Sequence, residues 1–390
     1  MISYGRHFID NNDIKSVISV LKNKPLTQGK YVNYFEDFVR EYVGSKYAVA
    51  VSSCTAGLHI AYKSLNLSKQ DTVLVPSITF VSTANAALFL KNKVQFIDTN
   101  SKALIDLNKL EQKLKKNKNI KLIVPVHFAG WTCDMYGISK LAKKYNCFVI
   151  EDSAHALGSS YENNKKVGSC FYSDMSVFSF HPVKTIATGE GGMVTTNNKD
   201  TYKSLLRIRS HGINKLDDKM LNRKYSHTGS SKNPWYYEMQ ELGYNYRLTD
   251  IQSALGLSQM KKIDKFLIKR RNLYKKYLSS FKKFKNLKLL HTENIENSSC
   301  HLCVIKINFT AIRKSRSQIM NYLKKNAIIT QVHYIPLYLH PYFKIEERSI
   351  YKNFKSSMKY YSECLSIPLF YNLKITDQKK IIRLLFKIIG

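Results

Sequence analysis

Apolar residues recur every three to four positions over residues 13–21 and 31–42, which predicts two amphipathic helices around a turn at 25–29. From residue 47 the pattern changes. Short unbroken apolar runs at 47–51, 73–76, 94–98, 120–127 and 148–151 alternate with helical patterns at 55–65, 80–90 and 138–145. Such runs are strands buried on both faces, and their alternation with helices predicts a largely parallel sheet between two helical layers. Two further strands are expected at 175–180 and 192–196, joined by the segment 181–191. Residues 213–240 are polar, carry Gly229, Ser230 and Ser231, and read as a long loop. One long helix is predicted over 249–281, with Thr249 or Asp250 as its N-cap. A strand at 302–307, a helix at 318–325, a strand at 330–334 and a terminal helix opened by Thr376 follow. The expected division is a large α/β domain over 1–250, with an N-terminal helical arm, and a long connecting helix plus a small α+β domain over 251–390.

Composition narrows this picture. The 390 residues are 44% hydrophobic and 12% aromatic, which excludes a disordered chain. The formal net charge of +34 suggests a polyanion partner, but 50 of the 62 cations are Lys and only 12 are Arg. Readers of bases and phosphates lean on the planar fork of Arg. The Lys residues are scattered over helical faces, as at Lys113, Lys115, Lys116 and Lys118, and Ile, Asn and Tyr share their AT-rich codons. Compositional drift of a solvated surface accounts for the charge, and no specific nucleic-acid partner is expected. Seven Cys show no framework spacing, and Cys300-His301-Leu302-Cys303 reads as strand, so neither disulfides nor a metal site is expected. The first residues lack the apolar core of a signal peptide, and no uncharged run approaches the roughly 20 residues that span a bilayer. A cytoplasmic protein without membrane insertion is the expectation.

Three segments at the ends of predicted strands carry chemistry, where ligands of open α/β sheets bind. Ser52-Ser53-Cys54-Thr55-Ala56-Gly57 leads straight into a helix, and its backbone N–H groups form a seat for a phosphate or carboxylate, or an ordinary N-cap. Glu151-Asp152-Ser153-Ala154-His155 ends an apolar run with two carboxylates, one of which could hold a cationic ring nitrogen. Ser179-Phe180-His181-Pro182-Val183-Lys184 precedes Thr188-Gly189-Glu190-Gly191-Gly192 and offers a lysine amine between two buried strands. No GxGxxG follows the first strand, so a dinucleotide site is disfavoured. Seat, carboxylate and amine in this order are what pyridoxal 5'-phosphate requires.

At these residues the sequence resembles the DegT/DnrJ/EryC1/StrS family of sugar aminotransferases, which are fold-type I pyridoxal-phosphate enzymes. The likeness extends to Leu26-Thr27-Gln28-Gly29-Lys30, Arg209-Ser210-His211-Gly212 and Asn245-Tyr246-Arg247-Leu248-Thr249-Asp250. Phe180-His181-Pro182-Val183-Lys184, 234–243 and Val332-His333-Tyr334-Ile335-Pro336 are similar to the branch of that family in pseudaminic acid biosynthesis. The resemblance implies a fold-type I transferase with a large, mixed, mostly parallel sheet sandwiched by helices and a small C-terminal α+β domain. It implies transfer of the amino group of L-glutamate to C4 of a UDP-linked 4-keto-6-deoxy-N-acetyl-hexosamine. Perosamine-type and 4-amino-arabinose-type synthases share fold and chemistry and stay open as alternatives, as does a non-catalytic polyanion binder.

Carried over by position, Lys184 would condense with the cofactor aldehyde and shuttle the proton. Asp152 would pair with the pyridine nitrogen, His155 would sit near the ring hydroxyl, and Phe80 would stack on the ring. Cys54, Thr55 and Ser179 would hold the phosphate, with Asn245 from a second subunit, which implies an obligate homodimer with shared sites. Tyr4 and the segment of Lys24, Pro25, Leu26 and Thr27 would line the sugar-nucleotide entrance, and His333 and Tyr334 would close it. Arg247 is a candidate for the donor carboxylate. Cys54 stands where the family carries Gly, which leaves backbone N–H donation intact as long as φ stays negative.

Overall fold

The computed structural model describes residues 1–215 and 220–389; residues 216–219, within the segment expected to be a long loop, lie outside the described residues. Two helices, α1 (Asn11–Asn23) and α2 (Lys30–Val43), precede an alternating series. That series runs β1 (Tyr47–Val51), α3 (Cys54–Ser64), β2 (Thr72–Pro76), α4 (Ser82–Phe89), β3 (Lys93–Ile97), α5 (Leu107–Lys116), β4 (Ile120–Ile123), α6 (Met135–Tyr145), β5 (Phe148–Asp152), β6 (Met175–Ser179), β7 (Gly192–Thr196) and α7 (Lys199–Arg209). The seven strands form one sheet in the order β1-β7-β6-β5-β4-β2-β3. Pairings from β3 through β6 are parallel, and β7 runs antiparallel to both neighbours. Alternate strand residues feed two cores. Leu74 and Phe178 belong to one, Val75 and Val177 to the other, which is the two-sided burial that the continuous apolar runs demand.

The topology brings the chemical segments to one edge. β1, β2, β5 and β6 all end there, and β7 begins there, with Val51 and Ser179 both in register with Gly192. A Cβ on Gly192 would fall 2.7 Å from the carbonyl carbon of Ser53, so only glycine lets β7 press against the turn into α3.

Beyond the sheet come α8 (Asp250–Met260), α9 (Ile263–Phe281), β8 (Leu287–Leu289), β9 (Cys303–Ile307), α10 (Arg316–Lys325), α11 (Glu347–Asn353), α12 (Lys355–Glu363), β10 (Cys364–Ile367) and α13 (Ile375–Ile389). Strands β8, β9 and β10 form a separate antiparallel sheet.

Several expectations are corrected here. The helix predicted over 249–281 is two helices. Lys262 leaves helical geometry (φ −113°, ψ 2°), and its amine reaches Asp13 Oδ2 at 2.6 Å and Asp10 Oδ2 at 2.8 Å. The periodicity runs unbroken across a junction that an ion pair to α1 bends. The strand expected at 330–334 is reduced to a bridge between Gln331 and Ser366, because His333 bonds the Ser366 hydroxyl and the Tyr360 hydroxyl. The third strand of the small sheet is β10 instead. Cys300, His301 and Leu302 precede their strand: the N–H groups of His301 and Leu302 both donate to Ala129 O. β4 stops at Ile123, with Val126 only bridged to Asp152. Helices α7, α11 and α12 and strand β8 were not anticipated. Short ladders such as Ile213–Asn214 with Glu238–Met239 also interrupt the expected loop at 213–240.

Candidate active site

A cavity of about 620 Å³ opens where the four strand ends meet. Each wall follows from a local feature of the chain.

The turn after β1 is capped by Ser53, whose hydroxyl accepts the N–H of Ala56 at 3.1 Å. The first N–H groups of α3 are left without helical partners, and the positive end of the helix dipole faces the cavity at Cys54 and Thr55. Burial holds the Cys54 thiol protonated, well above its usual range. Ser179, at the end of β6, lines the same cavity.

Asp152 ends β5 and is 4% exposed. Its Oδ2 accepts from Thr83 Oγ1 at 2.7 Å and its Oδ1 from the N–H of Ala154 at 3.1 Å. Burial raises its pKa, and these donors and Lys184 act against that rise. Lys184 lies in the β6–β7 connection, where burial lowers its amine to about 8. A free amine is thereby accessible near neutral pH.

His155 is 5% exposed and neutral, since burial and the nearby Lys184 hold it well below the usual range. Its Nδ1 accepts the Ala129 N–H at 3.3 Å, so the proton sits on Nε2, which donates to the Tyr334 hydroxyl at 3.0 Å. Tyr334 therefore keeps its own hydroxyl proton for a partner in the cavity. The Phe80 ring, 55% exposed, stands 6.0 Å from that of Tyr334. The Tyr4 ring packs 5.2 Å from that of His333, tilted by 56°, and burial lowers the His333 pKa to about 3.

A polar seam joins this wall to the small sheet. Gly130 O accepts the Ser159 and Ser298 hydroxyls at 2.7 and 2.9 Å, and Ser299 Oγ donates to His155 O at 2.6 Å. Gly130 has φ of 100°, and a Cβ there would meet Ser299 Oγ at 2.3 Å.

The structure thus gathers Tyr4, Cys54, Thr55, Phe80, Asp152, His155, Ser179, Lys184, His333 and Tyr334 around one cavity. Lys24, Pro25, Leu26 and Thr27 are exposed and do not line it, nor do Asn245 and Arg247. The motif reading passed over Thr83, although Thr79 and Thr83 stand one turn apart and bond each other at 2.8 Å. That pair of threonines one turn apart, at the start of a helix of mostly small residues, was the available signal. It also missed His301, which lines the cavity and packs 4.4 Å from His155.

The donor set fits pyridoxal phosphate: a helix N-terminus and Ser179 for the phosphate, a fixed carboxylate for the ring nitrogen, an amine for the aldehyde and aromatic rings for the flat faces.

Known proteins agree with this geometry. Residues 7–386 match the DegT/DnrJ/EryC1/StrS aminotransferase family. The chain is 40% identical over 390 residues to a UDP-4-amino-4,6-dideoxy-N-acetyl-beta-L-altrosamine transaminase of Campylobacter jejuni, covering 100% of this chain and 98% of the relative. It is 35% identical over 327 residues to a GDP-perosamine synthase of Escherichia coli O157:H7, covering 82% and 81%. The solved structure of Helicobacter pylori PseC, an aminotransferase involved in the biosynthesis of pseudaminic acid, superposes with a TM-score of 0.88 at 32% identity, covering 100% and 99%. The chain belongs to the DegT/DnrJ/EryC1/StrS aminotransferase family.

Proposed function

We propose that this aminotransferase moves the amino group of L-glutamate to C4 of a UDP-linked 4-keto-6-deoxy-N-acetyl-hexosamine of the pseudaminic acid type. The carrying observation is the convergence of the Lys184 amine, the Asp152 carboxylate and the N-terminus of α3 on one cavity. The likeness to the Campylobacter transaminase supports the choice of sugar. Pyridoxal phosphate, when bound, supplies an aldehyde that accepts the amino group and a ring that takes up the electron pair.

The chain's own residues do the rest. Lys184, with its amine lowered to about 8, would hold the aldehyde and offers Nζ as the group that takes and returns a proton. Asp152, oriented by Thr83 and the Ala154 N–H, would pair with the ring nitrogen. Cys54, Thr55 and Ser179 would receive the phosphate. His155 and Tyr334 present a directed hydroxyl to the ring or the sugar, and Tyr4 and His333 wall the sugar side.

A homodimer fits the surface. Asn245 is exposed outside its own cavity, and Trp235, Tyr237, Met239 and Leu242 are exposed apolar side chains in the preceding segment, with Trp235 at 72%. A second copy would cover them and bring Asn245 to the neighbouring phosphate seat. All seven Cys are unpaired, as a reducing cytoplasm requires. Among the described residues no helix is long and apolar enough to cross a membrane.

Lys184→Ala, mixed with pyridoxal phosphate, should lose both the visible absorbance of the bound cofactor and turnover; an unchanged spectrum would sink the assignment. Mass spectrometry of the product from glutamate and UDP-, GDP- and dTDP-linked 4-keto sugars decides the acceptor. Preference for the GDP sugar would favour the perosamine reading.

A further inference from the structure

Behind Asp152 lies a cluster that the chemistry above leaves unused. Side chains alternate along a strand, so Glu151 points away from the cavity while Asp152 points into it. Glu151 is 0% exposed. Its Oε2 accepts from His127 Nε2 and from the Tyr161 hydroxyl, both at 2.5 Å, and its Oε1 accepts from the Ser173 hydroxyl. Three donors in place of water make a buried carboxylate tolerable.

His127 is also 0% exposed. The carboxylate draws a second proton toward the ring, but the Cys133 N–H occupies the Nδ1 lone pair at 3.1 Å. The imidazole is therefore the neutral Nε2–H tautomer, and the pair is a directed hydrogen bond rather than an ion pair.

The backbone around His127 reaches both polar residues of the cavity wall. Its N–H donates to Asp152 O at 3.2 Å, while the Asp152 N–H donates to Pro125 O at 2.9 Å. Two residues on, Ala129 sits at φ 58° and aims its N–H at His155 Nδ1. The same residue's carbonyl accepts from His301 and Leu302. A turn that visits the left-handed region needs an anchor, and the His127–Glu151 bond is the side-chain anchor at its start.

We propose that His127 and Glu151 are positioning residues of the active site: their bond locks the turn 126–130, so that Asp152 and the Nε2–H tautomer of His155 are held in fixed relation to each other. The proposal rests on pyridoxal phosphate filling the cavity. It concerns geometry rather than charge, and that separates it from a general core network.

Three variants of the full chain test it: His127→Ala, Glu151→Gln and Tyr161→Phe. Binding of pyridoxal phosphate is followed by fluorescence quenching, and the tautomer of His155 by ¹⁵N chemical shifts in the cofactor-free protein. His127→Ala should weaken cofactor binding about tenfold, the loss of one well-placed bond, and turn the His155 signals into a tautomer mixture. Glu151→Gln keeps an acceptor for His127 and should bind within about threefold of the unaltered chain. Unchanged binding together with an unchanged His155 tautomer in folded His127→Ala overturns the proposal, and so does a Glu151→Gln variant as weak as His127→Ala. Should His127→Ala fail to fold, Tyr161→Phe removes one Glu151 donor without touching the turn, with about a threefold loss expected; unaltered binding there overturns it equally. No binding by the unaltered chain overturns the cofactor reading itself, and the proposal with it.

Discussion

Thr83 Oγ1 donates to Asp152 Oδ2 at 2.7 Å, across 69 residues of sequence and from a helix to a strand end. This bond is the foremost opponent of the rise that burial imposes on the carboxyl. Thr83→Val removes it, so the Asp152 pKa should rise further. At a given pH more of the carboxyl is then neutral, and the acid limb of the kcat/KM profile should move to higher pH. Cofactor retention at neutral pH should fall about tenfold, as for other bonds to a charged group. A profile that stays in place would remove Thr83 from the site.

The same carboxylate weighs on the fold. Its pKa is raised above the unfolded value, so stability is greatest below the unfolded pKa and is lost as pH rises through the folded one. Asp152→Asn abolishes that loss. The cofactor-free variant should melt at a higher temperature than the unaltered chain at pH 7 and at the same temperature near pH 3. Scanning calorimetry at the two pH values checks this, and a lower melting point at pH 7 would contradict it.

Lys184 carries its own pH signature. An amine at about 8 is mostly protonated at pH 7 and mostly free at pH 9. The rate of pyridoxal phosphate capture, read by stopped-flow absorbance, should therefore rise over that interval and level off. An inflection near the ordinary lysine value would mean that the amine is solvated.

Lys262 tests the bend between α8 and α9. Asp13 is 0% exposed and takes bonds from Ser258, Gln259 and Lys262, so Lys262→Met leaves a buried carboxylate without its cation. A loss of about 3 kcal/mol in urea unfolding is expected. Lys262→Met with Asp13→Asn should recover most of it.

These particulars show how far the chain could be read. The parallel sheet was legible because both faces of its strands are covered, which writes continuous apolar runs into the sequence. Lys184, Asp152 and Cys54 were legible because each lies at the end of a strand or within five residues of one. Thr83 and His301 were not, since their roles depend on crossovers that bring distant segments to one edge. The break at Lys262 was hidden for a related reason: an ion pair to α1 causes it, and local periodicity does not register a partner 249 residues away.

The seam at Gly130 bears on how acceptor choice could be altered. Hydroxyls of Ser159, Ser298 and Ser299 pin the inner wall to the small sheet, and Gly130 leaves no room for even a methyl group. The two sheets are therefore not hinged at this point, and opening the cavity falls to its rim. Ile335 is exposed there and His340 is half-buried, so neither of them is fixed by core packing. Redesign for a different sugar has its room at those rim positions, where side-chain size can change while the chemistry beneath stays clamped.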